Sequence, residues 1–126
     1  MGNPKYQTIC RETRYPLNTR IELEMADGAK LFVNSSNISI SGLQFSCNNW
    51  VAKKIEPKGI HLHSLDHINL KMRLEEHNLN AQGQIVFARR VSQDEFFIGV
   101  RFTRLDDDSQ DNLNTLIQRY EKSFKH

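Results

Sequence analysis

The sequence predicts a mainly β fold, a small antiparallel β-barrel of six or seven strands with one C-terminal α-helix packed across it. Apolar and polar side chains alternate with a period of two from residue 19 to residue 103, as in strands that bury one face. Clusters of Gly, Asn and Asp interrupt the alternation. Towards the C-terminus the apolar spacing changes to three and four, which is the period of a helix. Closure into a barrel would leave no strand edge exposed.

The first predicted strands form a hairpin. Residues 20–25 place apolar side chains on one face and charged side chains on the other. Asp27-Gly28 is a pair that tolerates positive φ, so residues 30–34 are expected to return as the partner strand. The alternation resumes over residues 43–47, directly after Gly42.

The second half contributes three more strands. Pro57 and Gly59 interrupt the apolar pattern of residues 48–65, which we interpret as a loop with one short strand. Strands are predicted from His67 to Leu74, over residues 79–90 and over residues 96–102. Large aromatic residues such as Trp50 are assigned to the core.

The C-terminal helix has an apolar face and a start signal. Residues 106–109, three aspartates and a serine, precede it and can cap its free amide groups. We therefore divide the single predicted domain into an N-terminal segment (1–18), a barrel (19–105) and the helix (106–126). The apolar face of the helix consists of Leu113, Leu116, Ile117, Tyr120 and Phe124.

Composition restricts the class of protein. With 126 residues, 38% of them hydrophobic and 25% charged, the chain has the size and content of one soluble domain. A net charge of +2 is too small for a general nucleic-acid binder. No apolar run reaches the roughly 20 residues of a membrane span, and residues 1–10 lack the apolar core of a secretory signal. A cytoplasmic location is expected, without membrane insertion.

The sequence predicts neither a metal site nor an enzyme. Cys10 and Cys47 lack CxxC spacing, and no acidic or thiol partner completes a site with His61, His63 and His67. Nucleophile–base spacing, a phosphate-binding glycine loop and paired carboxylates are all missing from the sequence. We therefore expect no cofactor and no catalytic residues.

One motif carries the functional information, the segment Asn37-Ile38-Ser39-Ile40-Ser41-Gly42. The Asn37 side chain has a hydrogen-bond donor and an acceptor, and the Ser39 side chain has a hydroxyl that can rotate. Gly42 allows a ligand to approach the backbone closely, or allows positive φ. Upstream lie Arg11 and Arg14, just ahead of the first long strand. An arginine fork can bind a phosphate or a guanine edge bidentately.

Together with the strand sequence Gly99-Val100-Arg101-Phe102 and the closing helix, these motifs resemble the PilZ domain family, a bacterial receptor module for cyclic di-GMP. The resemblance extends from Arg11 to Tyr120 and implies a split barrel with a C-terminal helix. Asn37-x-Ser39-x-x-Gly42 matches the Asp/Asn-x-Ser-x-x-Gly motif of the family without departure. In the family the polar side chains of this motif contact the guanine, and its glycine gives backbone room.

The other family motif, Arg-x-x-x-Arg, is matched imperfectly. Arg14, followed by Tyr15 and Pro16, resembles its second arginine, but strict spacing places Cys10 at the first. We expect Arg11, one residue away, to substitute for it.

The resemblance thus implies a non-catalytic receptor that orders residues 1–18 on binding cyclic di-GMP. A protein partner or an attached effector domain would receive the signal. The ligand-binding residues would be Arg11, Arg14, Asn37, Ser39 and Gly42.

Two alternatives follow from the same residues. The cysteine at position 10 permits a degenerate PilZ-like adaptor that does not bind the nucleotide and acts by protein contacts. An oligonucleotide-binding barrel is disfavoured, because the sequence lacks a basic, aromatic-rich strand face. A nucleic-acid polymer is therefore not among the expected partners.

Overall fold

A computed structural model describes residues 13–25, 27–55, 67–74 and 76–124. Seven strands and two helices lie in these ranges. In chain order they are β1 (Tyr15–Pro16), β2 (Arg20–Glu24), β3 (Lys30–Ile38), β4 (Gly42–Cys47), α1 (Asn49–Ile55), β5 (Ile68–Leu74), β6 (His77–Ser92), β7 (Glu95–Leu105) and α2 (Asp107–Phe124).

Six of the strands close into a barrel. Neighbours follow the order β3, β2, β5, β6, β7 and β4, and β4 pairs back onto β3. Every pairing is antiparallel. The short strand β1 pairs with residues 37–38 of β3, beyond residues 30–34, which pair with β2. The predicted six- or seven-stranded antiparallel barrel with a C-terminal helix is therefore confirmed.

The alternation in the sequence produces the core. Inward positions such as Ile21, Leu23, Phe45 and Ile98 are fully buried inside the barrel. Leu113 of α2 is fully buried in the same cluster, so the helix covers the barrel. Burial of each such side chain stabilises the fold by about 1.5–3 kcal/mol. Within the described residues, neither helix has an apolar stretch long enough to cross a bilayer.

The start of α2 is fixed by the capping that the sequence predicts. The Asp106 carboxylate accepts a hydrogen bond of 2.7 Å from the Ser109 amide. This bond and a contact with the Ser109 side chain lower the pKa of Asp106 below its ordinary value of 3.8. Stability from this cap is therefore complete above that ordinary pKa, and it is lost as the pH falls through the lowered value.

The first turns of α2 also cover the end of a strand. β7 pairs with β6 only from Ala81 onwards, so residues 77–80 of β6 extend beyond it. The amide of Asn80 donates to the Ser109 hydroxyl at 2.8 Å, and the side-chain amide of Asn112 donates to the Asn78 carbonyl at 2.9 Å. The helix thus takes the position beside β6 that another strand would occupy.

Two sequence predictions need correction. The interpretation of residues 48–65 as a loop with a short strand is wrong at its start, where α1 forms; residues 56–66 lie outside the described ranges. Asn48 caps this helix through a 2.9 Å bond from the Val51 amide, and its buried face is only Ala52 and Ile55, too short for a periodic signal. The assignment of Trp50 to the core is also wrong, since it is 60% exposed.

Candidate functional site

The Asn-Ser-Gly motif lies at the turn between two adjacent strands. Asn37 is near the end of β3, where it pairs with Pro16 of β1 on one side and Gln44 of β4 on the other. The register between β3 and β4 shifts at Ser36, whose hydroxyl donates to the Gln44 carbonyl at 3.1 Å. The half-buried Asn37 side chain is therefore held at an irregularity in the barrel wall.

The structure brings two of the predicted site residues into contact. An Nη1 group of Arg14 donates a hydrogen bond of 3.0 Å to the side-chain oxygen of Asn37. Arg14 is exposed and directly precedes β1, whose pairing with β3 sets its position. The bond uses one of five guanidinium donors and leaves the positive charge unneutralised, because its acceptor is a neutral amide. The charge is thus available to an anionic ligand beside the motif.

Tyr15 fixes this segment from the other side. Its ring is buried, and its centroid lies 5.5 Å from that of Tyr120 on α2 with the planes tilted by 46°. Such tilted aromatic pairs add about 0.5–1.5 kcal/mol beyond the area they bury. The residue that follows Arg14 is therefore anchored between the barrel and the C-terminal helix.

Ser39 has a structural position. It is completely buried, its amide donates to the Gly42 carbonyl at 2.8 Å, and its hydroxyl donates to the same oxygen at 3.3 Å. Both bonds close the turn between β3 and β4. In this arrangement the hydroxyl shapes the turn and is not on the surface beside Arg14.

Gly42 is required by packing between strands. It pairs with Arg101 of β7, and a Cβ atom at this position would lie 2.1 Å from the carbonyl oxygen of Val100. Gly28 adopts positive φ, at 89°, whereas Gly42 does not. The glycine of the motif thus lets β4 approach β7 and needs no left-handed backbone.

Residues that the sequence prediction did not include lie beside the motif. Arg101, opposite Gly42, is exposed and donates to the Gln84 side chain at 3.2 Å. Gln44, opposite Asn37, is half-buried on the adjacent strand. Alternation around buried Val100 predicts an outward Arg101, but only the strand register shows that it adjoins the motif.

The arrangement combines an exposed guanidinium with amide groups on a rigid barrel wall. These groups bind phosphate oxygens and the edges of nucleobases. Among the residues that the structure describes, no group of three or more His, Cys, Asp or Glu side chains is placed to hold a metal ion. Burial raises the pKa of the Cys47 thiol to about 11, so this thiol is protonated and weakly nucleophilic at neutral pH.

The sequence matches the family model of the PilZ domain over residues 10–119. The chain belongs to the PilZ domain family. No curated protein matches it significantly.

Solved structures with the same fold include known PilZ domains. The inhibitor of motility MotI/DgrA of Bacillus subtilis superposes with a TM-score of 0.68 at 14% identity, over 92% of this chain and 53% of that one. The PilZ domain of Escherichia coli YcgR, solved with c-di-GMP, has a TM-score of 0.64 at 12% identity, and the match covers 90% of this chain and 92% of that one. Borreliella burgdorferi PlzA in complex with c-di-GMP has a TM-score of 0.58 at 13% identity, and the match covers 98% of this chain and 57% of that one. The chain thus spans about half of MotI and PlzA.

Two residues of the family's arginine motif lie outside the described residues. Cys10 and Arg11 precede residue 13, so the expected substitution of Arg11 for the first arginine stays a prediction. The histidines His61 and His63 lie in the undescribed range 56–66 as well. Of the predicted site residues, the structure describes Arg14, Asn37, Ser39 and Gly42.

A buried serine connects the arginine segment of this PilZ domain to the barrel. Ser35 is 4% exposed, and its hydroxyl accepts from the Thr19 amide at 3.0 Å and donates to the Leu17 carbonyl at 2.9 Å. These bonds hold the irregular stretch between β1 and β2 against β3. Ser35 therefore stabilises the path of the chain that leads from β2 back to Arg14.

Replacing Ser35 by alanine should destabilise the domain by about 2 kcal/mol, because the Thr19 amide and the Leu17 carbonyl each lose a partner in a partly buried place. Urea unfolding followed by circular dichroism measures the change. Ser36→Ala is the matched control: the bond from its hydroxyl to the Gln44 carbonyl is exposed to water, so a loss of only about 0.5 kcal/mol is expected. Equal losses in the two variants would contradict the role given to Ser35.

Proposed function

We propose that this PilZ domain is a non-catalytic receptor for cyclic di-GMP, bound through Arg11, Arg14 and the motif residues Asn37, Ser39 and Gly42. The observation that carries the proposal is the 3.0 Å bond between Arg14 and Asn37, which joins the two family motifs at one place on the barrel surface. Domains of this family act as receptors, and the similar YcgR and PlzA structures contain c-di-GMP.

The chemistry of the ligand fits these groups. Cyclic di-GMP has two phosphates, which need cationic or amide donors, and two guanines, whose O6 and N7 atoms accept hydrogen bonds. The Arg14 fork supplies donors for either group, and the Asn37 amide supplies a donor and an acceptor. In this proposal Ser39 and Gly42 act mainly through the turn, which sets the position of Asn37.

Within the N-terminal segment 1–18, ligand binding is proposed to order the part that precedes β1 against the barrel, since β1 itself is already paired with β3. The anchored Tyr15 provides a fixed end from which this segment extends towards the ligand. Such coupled ordering reduces affinity by the conformational entropy that is lost. Hydrogen exchange of the amides in this segment should slow when the ligand is added.

Isothermal titration with cyclic di-GMP, together with the melting temperature, tests the proposal. We expect a binding isotherm and a melting temperature that rises with ligand concentration, since a ligand that binds only the folded state stabilises it. Cyclic di-AMP serves as the control, because it has the same backbone without the guanine edge. Absence of heat combined with an unchanged melting temperature would contradict the receptor function.

The cysteine at position 10 favours a second function, that of an adaptor which has lost the ligand. Cys10→Arg separates the two, because it restores the strict Arg-x-x-x-Arg spacing. If Arg11 substitutes for the first arginine, the native chain binds and the change alters affinity by about tenfold or less, which is about 1.4 kcal/mol. If only the variant binds, the native domain is an adaptor.

A further inference from the structure

The outer face of the barrel carries a basic surface whose lining includes neither Arg14 nor Asn37. An open concavity of about 470 Å³ is lined there by three cations, Arg20, Lys71 and Arg73, and by one carboxylate, Glu22. The Arg20 guanidinium lies 4.1 Å from the ring centroid of Phe32, which is 51% exposed. Arginine and aromatic side chains are enriched in protein interfaces. We call this the basic surface.

A surface of the opposite sign lies next to it. This second concavity, of about 480 Å³, is lined by the exposed carboxylates Glu76, Asp106, Asp108 and Asp111. Asp106 directly precedes α2, and Asp108 and Asp111 lie in its first turns. The helix start is fixed to β6 as described above. We call this the acidic surface.

The two surfaces share a boundary. Asn78 and Asn80 of β6 line both concavities, and both residues are exposed. The cations lie on one side of this boundary, on β2 and β5, while the carboxylates lie on the other side, mainly on α2. The nearest cations, Lys71 and Arg73, lie on β5, the strand next to β6. Neighbouring strands are about 4.8 Å apart, so these cations begin one strand away from the boundary.

We propose that this face is a site of self-association in which a second copy of the chain binds about a two-fold axis near Asn78 and Asn80. Rotation by 180° about an axis that lies in the contact plane and runs along this boundary places the basic surface of each copy on the acidic surface of the other, so both charge contacts form twice. Asparagine amides at the axis are self-complementary, because each has a donor and an acceptor.

Charge complementarity selects a second copy over other occupants. A uniformly acidic partner would be attracted by the basic surface and repelled by the acidic surface beside it, and a basic partner would meet the reverse. Only a partner with both signs in matching order is attracted along the whole face, and this chain is itself such a partner. Because the contacts are exposed charges, the association is weak and depends strongly on salt.

Sedimentation velocity of the full chain without nucleotide tests the proposal. We expect a concentration-dependent monomer–dimer equilibrium at about 0.01 M salt, where charges act over about 30 Å, and monomers at about 1 M, where the range is about 3 Å. A monomer at both salt concentrations would overturn the proposal. The experiment contains no cyclic di-GMP, so its outcome is independent of the receptor function.

Two charge reversals locate the interface. Arg73→Glu and Asp111→Lys should each raise the dimer dissociation constant by about tenfold or more, since like charges then face each other twice. Lys53→Glu and Glu121→Lys are the matched controls; both positions are exposed and line neither surface. Dimers that tolerate both reversals would overturn the assignment of this face.

An equimolar mixture of the Arg73→Glu and Asp111→Lys variants gives the decisive result. In the mixed pair, the carboxylate introduced at position 73 of one copy would face the ammonium introduced at position 111 of the other, and the native charges would meet at the second contact. Heterodimers should therefore form with about the native dissociation constant, although each variant alone dimerises about tenfold or more weakly. This rescue cannot arise from misfolding, and its failure would overturn the two-fold arrangement.

Discussion

Replacing Arg14 by alanine is expected to weaken the binding of cyclic di-GMP by about 30-fold or more, which corresponds to about 2 kcal/mol. The Arg14 guanidinium contacts the motif directly, since its Nη1 atom lies 3.0 Å from the side-chain oxygen of Asn37. A charged hydrogen bond to phosphate contributes more than a neutral one, and the fork can make two such bonds. Isothermal titration against the native chain gives the ratio of the dissociation constants.

Two further variants assign the cause of this loss. Arg14→Lys retains the charge without the planar fork, so an intermediate affinity is expected if both properties matter. Lys30→Ala removes an exposed cation at the opposite end of β3 and should leave affinity unchanged. Binding by Arg14→Ala with native affinity would show that the ligand does not use this residue.

Gly42→Ala is expected to reduce the free energy of unfolding by about 3 kcal/mol, although it adds only one methyl group. The new Cβ would lie 2.1 Å from the Val100 carbonyl oxygen, and this neighbour is backbone that cannot rotate away. β4 and β7 would have to separate, which disturbs the pairing of Gly42 with Arg101. Urea unfolding measures the loss.

Gly28→Ala is the control for this effect. Gly28 has positive φ, at 89°, but an added Cβ would have no neighbour within 4 Å. The change therefore costs only the left-handed backbone of alanine, about 1 kcal/mol. A smaller loss for Gly42→Ala than for Gly28→Ala would contradict the packing role of Gly42. Any ligand titration of the Gly42→Ala variant should be carried out at a temperature where the variant is folded.

The two glycines show how far residue type can be interpreted. Asp27-Gly28 predicts a turn with positive φ from its sequence alone, and the structure confirms it. For Gly42 the sequence leaves close approach and positive φ open, because both favour glycine. The choice depends on the distance between β4 and β7, which are far apart in sequence.

Local patterns also fail where an element is short. The seven residues of α1 bury only Ala52 and Ile55, and part of the stabilisation comes from Asp94, whose carboxylate accepts from the Asn49 amide at 3.0 Å. Asp94 lies in the turn between β6 and β7, 45 residues further along the chain. A contact of this kind leaves no periodic signal in the sequence.

Local sequence determines the fold class, the six long strands and the location of a candidate site around Asn37-x-Ser39-x-x-Gly42. These features depend on neighbouring residues and on apolar repeats of two or 3.6. The two-residue strand β1 is too short to give such a repeat. Tertiary structure alone decides which motif residues are accessible at the surface. Pairing of β1 with β3 brings Arg14 to Asn37 across 23 residues, while the turn buries Ser39 completely. Strand register and burial are properties of the closed barrel, and no local pattern specifies them.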